Sequence, residues 1–161
     1  MTSSEPQQPA QPPAPDPALK LLDRFLGTWE VHGRTVGAEA DDVDGRIAFE
    51  WLPGGFFLQQ RVDLRFTDFH VEGLEIIGYD PATGTYPSTV YPNMFGTPIP
   101  YRWELDGDDV TITTDMLGGI FQGRWSQDGS GFSGGWRPMP GREGPGNIAY
   151  DVSGHRAEVR E

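Results

Sequence analysis

Phe25-Leu26-Gly27-Thr28-Trp29-Glu30-Val31-His32-Gly33-Arg34 decides how this chain is read, because it carries a helix end directly into a strand. Gly27 can adopt the left-handed backbone that stops a helix, and Trp29 is large enough to close the floor of a β-barrel over the first turn of sheet. Upstream, Pro17 suits a first helical position and Leu19, Leu22, Phe25 and Leu26 share a face, which predicts a short helix over Pro17 to Leu26 that plugs or caps the barrel. Downstream, short alternating segments follow one another with no second helical pattern.

The predicted strands are Thr28 to Val36, Gly45 to Leu52, Phe56 to Phe66, Val71 to Tyr79, Tyr86 to Tyr91, Ile99 to Leu105, Val110 to Asp115, Gly119 to Ser126, Gly131 to Arg137 and Asn147 to Val159. Turn chemistry separates them at Leu52-Pro53-Gly54-Gly55, Asp80-Pro81-Ala82-Thr83-Gly84, Asp106-Gly107-Asp108 and Gln127-Asp128-Gly129. Tight reversals make sequential strands antiparallel neighbours, and closing the meander removes its exposed edges. The expected fold is therefore an all-β, antiparallel up-and-down barrel of about ten strands with a short N-terminal helix. Residues 1–17 are expected to form a disordered proline-rich tail, and residues 18–161 a single barrel domain.

Alternation along the strands selects the inward side chains. Trp29 and Val31; Ile47, Phe49 and Trp51; Leu58, Val62 and Leu64; and Tyr101, Trp103 and Leu105 each share a face. The third strand differs, since its other parity carries Phe57, Gln59, Arg61 and Asp63, a mixed face that must meet water or ligand.

Charge and composition narrow the partners. Twenty-four acidic against 12 basic side chains give a net charge of -12, a field that repels nucleic-acid phosphates and anionic lipid surfaces. There are no cysteines, which excludes disulfides, thiolate metal sites and cysteine nucleophiles. The first residues have neither the basic start nor the apolar run of a signal peptide, and a cytoplasmic location is expected.

Four blocks together resemble a bacterial lipocalin-like family of uncharacterised function: Gly27-Thr28-Trp29, Glu50-Trp51-Leu52-Pro53-Gly54-Gly55-Phe56-Phe57-Leu58, Glu75-Ile76-Ile77-Gly78-Tyr79-Asp80 and Arg102-Trp103-Glu104-Leu105-Asp106-Gly107-Asp108. The resemblance spans about Leu19 to Tyr150, and that family looks like a relative of the nitrobindins and the wider calycin barrels, which hold fatty acids, retinoids or haem. It implies a barrel more strongly than any one function. The ending Gly154-His155-Arg156-Ala157-Glu158-Val159-Arg160 also resembles the nitrobindin ending, which implies His155 as an axial haem ligand. His155 shares parity with Ala157 and Val159, whereas Ile148, Tyr150 and Val152 have the opposite parity. An inward His155 therefore requires a register slip at Ser153-Gly154, such as a glycine bulge.

Three function classes follow. The first is binding of a small hydrophobic ligand between Trp29, Phe49, Trp51, Leu58, Trp103 and Trp125, with Arg61 or Arg124 gripping its polar end, since guanidinium binds a carboxylate through paired hydrogen bonds. The second is a nitrobindin-like haem protein acting on nitric oxide or peroxynitrite through His155. The third is a cofactor-free cyclase or isomerase that uses Tyr79, Tyr101 or Arg61 as its acid or base. The acidic run Glu39, Asp41, Asp42 and Asp44 reads as a solvated connection, His32 as an outer-face residue and His70 as part of a turn; no metal site is expected.

Overall fold

The computed structural model describes residues 12–157, so positions 1–11 of the expected tail and Val159 of the expected last strand lie outside the described residues. Asp16 starts the helix, its carboxylate accepting a hydrogen bond from the Ala18 amide at 2.9 Å, with Pro17 at the first helical position. Pro17–Phe25 is a 3₁₀ helix. Its three-residue period puts Leu19, Leu22 and Phe25 on one buried face, while Leu26 leaves the helix half-buried. Gly27 then enters the first strand at φ 109°, in the left-handed region that its lack of a Cβ permits. Among the described residues no helix is long and apolar enough to cross a membrane.

Ten antiparallel strands follow in chain order: β1 Gly27–Thr35, β2 Val43–Trp51, β3 Leu58–Arg65, β4 His70–Ile77, β5 Tyr86–Pro92, β6 Ile99–Asp106, β7 Asp109–Thr114, β8 Gly119–Trp125, β9 Gly131–Pro138 and β10 Tyr150–Arg156. Each pairs with the next, and β10 pairs with β1 from Trp29↔Arg156 to Thr35↔Tyr150, so the sheet is a closed barrel as the turn chemistry predicts. Two expected strands are shorter than the pattern suggested. Phe56 and Phe57 stay exposed in the turn before β3, and Asn147 stays in the loop before β10, where its side-chain amide donates to the Leu117, Gly118 and Arg142 carbonyls.

The strand directions give the barrel two ends. Turns after β2, β4, β6 and β8 lie at the helix end, which the plug closes; the loops after β1, β3, β5, β7 and β9 surround the mouth. At the floor, Phe25 packs against Phe49, Trp103 and Trp125 with ring centroids 5.3, 5.5 and 4.9 Å away. Trp29 is fully buried, packs against Trp125 and Phe132, and donates its indole N–H to the Phe25 carbonyl at 2.8 Å. Two arginines, Arg156 of β10 and Arg24 of the plug itself, tie the plug to the floor. The Arg156 guanidinium lies 4.3 Å from the Trp29 ring centre and donates to the Leu26 and Arg24 carbonyls, while Arg24 covers Trp125 at 4.6 Å and pairs with Asp108 at 3.2 Å.

Gly154 sits where β10 crosses this floor. A Cβ there would lie 2.4 Å from ring carbons of Phe132, so glycine is required by close approach and not by a bulge. Gly154→Ala is expected to cost about 1–3 kcal/mol, as overpacking of a filled core does, read as a lowered midpoint in urea. An unchanged midpoint would mean that Phe132 has room to swing aside.

Candidate functional site

Above the floor the barrel encloses a cavity of about 370 Å³. Inward parity supplies most of its wall: Trp29 and Val31 from β1, Ile47 and Phe49 from β2, Val62 and Leu64 from β3, Tyr101 and Trp103 from β6, Phe121 and Trp125 from β8, and Tyr150 and Val152 from β10. Near the mouth, Phe66, Phe69, Met94 and Leu117 extend the lining from the loops, and Met94 and Leu117 are exposed.

One carboxyl faces this apolar space. Glu75 on β4 is 7% exposed and lies opposite Gln60 of β3, itself 8% exposed, with both side chains in the cavity wall. Glu75 Oε2 accepts from the Ser88 hydroxyl at 2.6 Å and from the Trp103 indole N–H at 2.8 Å. Burial pushes the Glu75 carboxyl up to about 6 against the pull of those two donors, because an apolar box disfavours the charged form. Tyr101 is pushed up to about 12, by burial first and then by the charge of Glu75. Tyr150 is raised too, by burial and then by Tyr101. On β7, Thr114 is 2% exposed and its hydroxyl finds no hydrogen-bond partner among the described residues, though it borders the cavity.

Trp29, Phe49, Trp103 and Trp125, four of the apolar residues expected to line the site, are brought together around the lower cavity. Leu58 and Trp51 are placed differently. Leu58 is fully buried in the floor cluster without bordering the cavity, and Trp51, the last residue of β2, turns below the barrel to donate its indole N–H to Asp23 of the plug at 2.8 Å.

Both expected arginines are corrected. Arg61 belongs to the exposed parity of β3, since Leu58, Gln60 and Leu64 take the interior. Arg124 forms part of the wall between Gly123 and Trp125, but its side chain is 72% exposed and its Nε lies 3.6 Å from Asp109. The third-strand alternation carried this outcome for Arg61; Glu75 is the residue that sequence reading missed, and its parity with the buried Ile77 is the signal that could have found it.

His155 is likewise corrected. The β10 ladder runs without a slip from Tyr150 to Arg156 against β1 and from Tyr150 to His155 against β9, so the parity set by Tyr150 and Val152 persists and His155 points outward. It is exposed, lies 3.2 Å from Glu30 Oε2 and stacks on His32 with ring centroids 5.6 Å apart. Two of the three histidines, His32 and His155, meet here because closure sets β10 beside β1. Ligating atoms of Glu30, His32 and His155 lie within 4.8 Å of one another on the outer surface, as do those of Asp63, His70 and Glu72. Among the described residues the cavity lining contains no histidine, so His155 does not fit as an axial haem ligand inside the barrel.

A comparison with curated proteins finds no match. Among solved structures, the crystal structure of Rv2717c from M. tuberculosis is similar, at 14% identity over 89% of this chain and 99% of that one with a TM-score of 0.56, a likeness that speaks for the fold alone. The family described as a protein of unknown function, DUF1579, matches residues 14–128, which take in the whole plug and the strands through β8. That span exceeds half of the chain, and the protein belongs to the DUF1579 family.

Proposed function

We propose that this protein binds one small, largely apolar molecule inside its barrel, in the manner of the lipocalin-like and calycin carriers. The observation that carries this reading is the cavity of about 370 Å³, walled by aromatic and aliphatic side chains above a packed floor and lined by only a few polar groups. A core built for stability alone fills such space, because voids forfeit dispersion contacts. A ligand that buries roughly 200 Å² of apolar surface gains about 5 kcal/mol at about 25 cal/mol per Å². The cavity-facing Glu75 and Gln60 side chains mark where polar atoms of the ligand belong.

Titration of delipidated protein with Nile red, an uncharged apolar dye, tests this directly. Saturable fluorescence and a one-to-one complex in native mass spectra are expected. Absence of both would end the proposal. Arg61→Ala and Arg124→Ala are expected to leave the dye affinity within about twofold, because both guanidinium groups are solvated on the outer wall. A large loss in either variant would return an arginine to the binding site.

A further inference from the structure

Glu75 is the one acidic side chain among the described residues of the cavity lining, and its two oxygens differ in their surroundings. Oε2 is held against the wall by the Ser88 hydroxyl and the Trp103 indole. Oε1 accepts no bond among the described residues and, unlike the Thr114 hydroxyl, is not sealed away from the open space. A carboxylate steered by two donors on one oxygen and left free on the other is set to accept from a third donor, and a molecule in the cavity can supply it.

The surroundings favour a cation there. The neighbouring strands turn no basic side chain toward Glu75: β3 presents Gln60, β5 presents Ser88 and Val90, and β6 presents Tyr101 and Trp103. The Arg124 guanidinium is outside. The upper walls are aromatic faces, with Trp136 set edge-on to Tyr101 at 5.9 Å, and such faces attract organic cations through their quadrupoles. The net charge of -12 draws cations toward the protein as a whole.

Resting on the reading of the lumen as a ligand site, we propose that the physiological ligand is a hydrophobic amine, whose ammonium group donates to Glu75 Oε1 while its apolar body lies against the aromatic wall. An anionic head, such as a fatty-acid carboxylate, would meet the Glu75 charge with no cation to offset it. An alcohol would gain a single uncharged donor.

Competition against Nile red by octylamine, octanol and octanoate at neutral pH separates these cases. Octylamine is expected to displace the dye at concentrations roughly tenfold to a hundredfold lower than octanol or octanoate, the range of a charge-assisted hydrogen bond. Glu75→Gln is expected to erase that advantage while Nile red still binds and the far-ultraviolet circular dichroism stays that of the native barrel. In the unmodified protein the octylamine advantage over octanol is expected to fall between about pH 7.5 and about pH 5, as the carboxyl takes up a proton and the amine keeps its own. Failure of Nile red to bind would defeat the lumen reading as a whole. Nile red binding with octanol or octanoate equal to or better than octylamine, or an advantage that survives Glu75→Gln, would overturn the amine assignment alone.

Discussion

Trp29→Ala is expected to lower the unfolding free energy by roughly 3–5 kcal/mol, a large share of the roughly 5–15 kcal/mol that holds a domain of this size. Three losses coincide at that residue. Its indole is fully buried, so truncation leaves a cavity at the point where plug and floor meet. Its N–H satisfies the Phe25 carbonyl, which would be left without that donor. Its ring also supports Trp125, Phe132 and the Arg156 guanidinium, so the arginine that ties β10 to the end of the helix loses its platform. Urea unfolding followed by circular dichroism measures the effect. Trp51→Ala is the control, since that indole is half-buried below the barrel and makes one bond to Asp23; its cost should be well below that of Trp29. Equal losses at the two positions would show that the floor owes nothing special to Trp29.

The contrast between those two tryptophans also shows how far the sequence can be read. Gly27-x-Trp29 follows a proline-started helix, and the three events in a row locate the floor before any long-range contact is known. Trp51 has the right parity for the lumen, yet it ends its strand, and a side chain at a strand end leans past the rim. Arg61 is decided by alternation with Gln60 and Val62, so its outward direction is legible in the strand pattern. Glu75 is harder to read, because an acidic residue in a strand is ordinarily solvated. Only its parity with Ile77 and its proximity to Trp103, brought about by two turns of hairpin, reveal a buried acid. His155 rested on a bulge. Gly154 allows one, but the ring of Phe132 occupies the space above its Cα and the ladder stays in step.

Glu75→Gln is expected to change how stability depends on pH, and the direction follows from burial. The folded protein holds this carboxyl's proton more tightly than the unfolded chain does, about 6 against 4.5. The favourable contribution of the protonated acid is therefore complete below about pH 4.5 and is lost as pH rises through about 6. A rise of that size corresponds to about 2 kcal/mol, so the ligand-free protein gives up about that much between acid and neutral pH at this residue. Asp128 behaves oppositely, since hydrogen bonds from Ser130 and Ser126 hold its exposed carboxylate down to about 2. Its contribution is present above 3.8 and is lost only toward about pH 2, so the two windows do not overlap. Glutamine keeps an acceptor for Ser88 and Trp103 but has no charge to desolvate. The difference in unfolding free energy between Glu75→Gln and the unmodified protein should grow in favour of the variant by about 2 kcal/mol from about pH 4 to about pH 7, measured by urea titration at each pH. A flat difference would mean that Glu75 is ionised in the folded state at no cost, with water or a neighbour solvating it. Where the slope is found, adding octylamine at neutral pH should reduce it, because a ligand that binds only the folded state stabilises it by RT ln(1 + L/Kd) at free ligand concentration L.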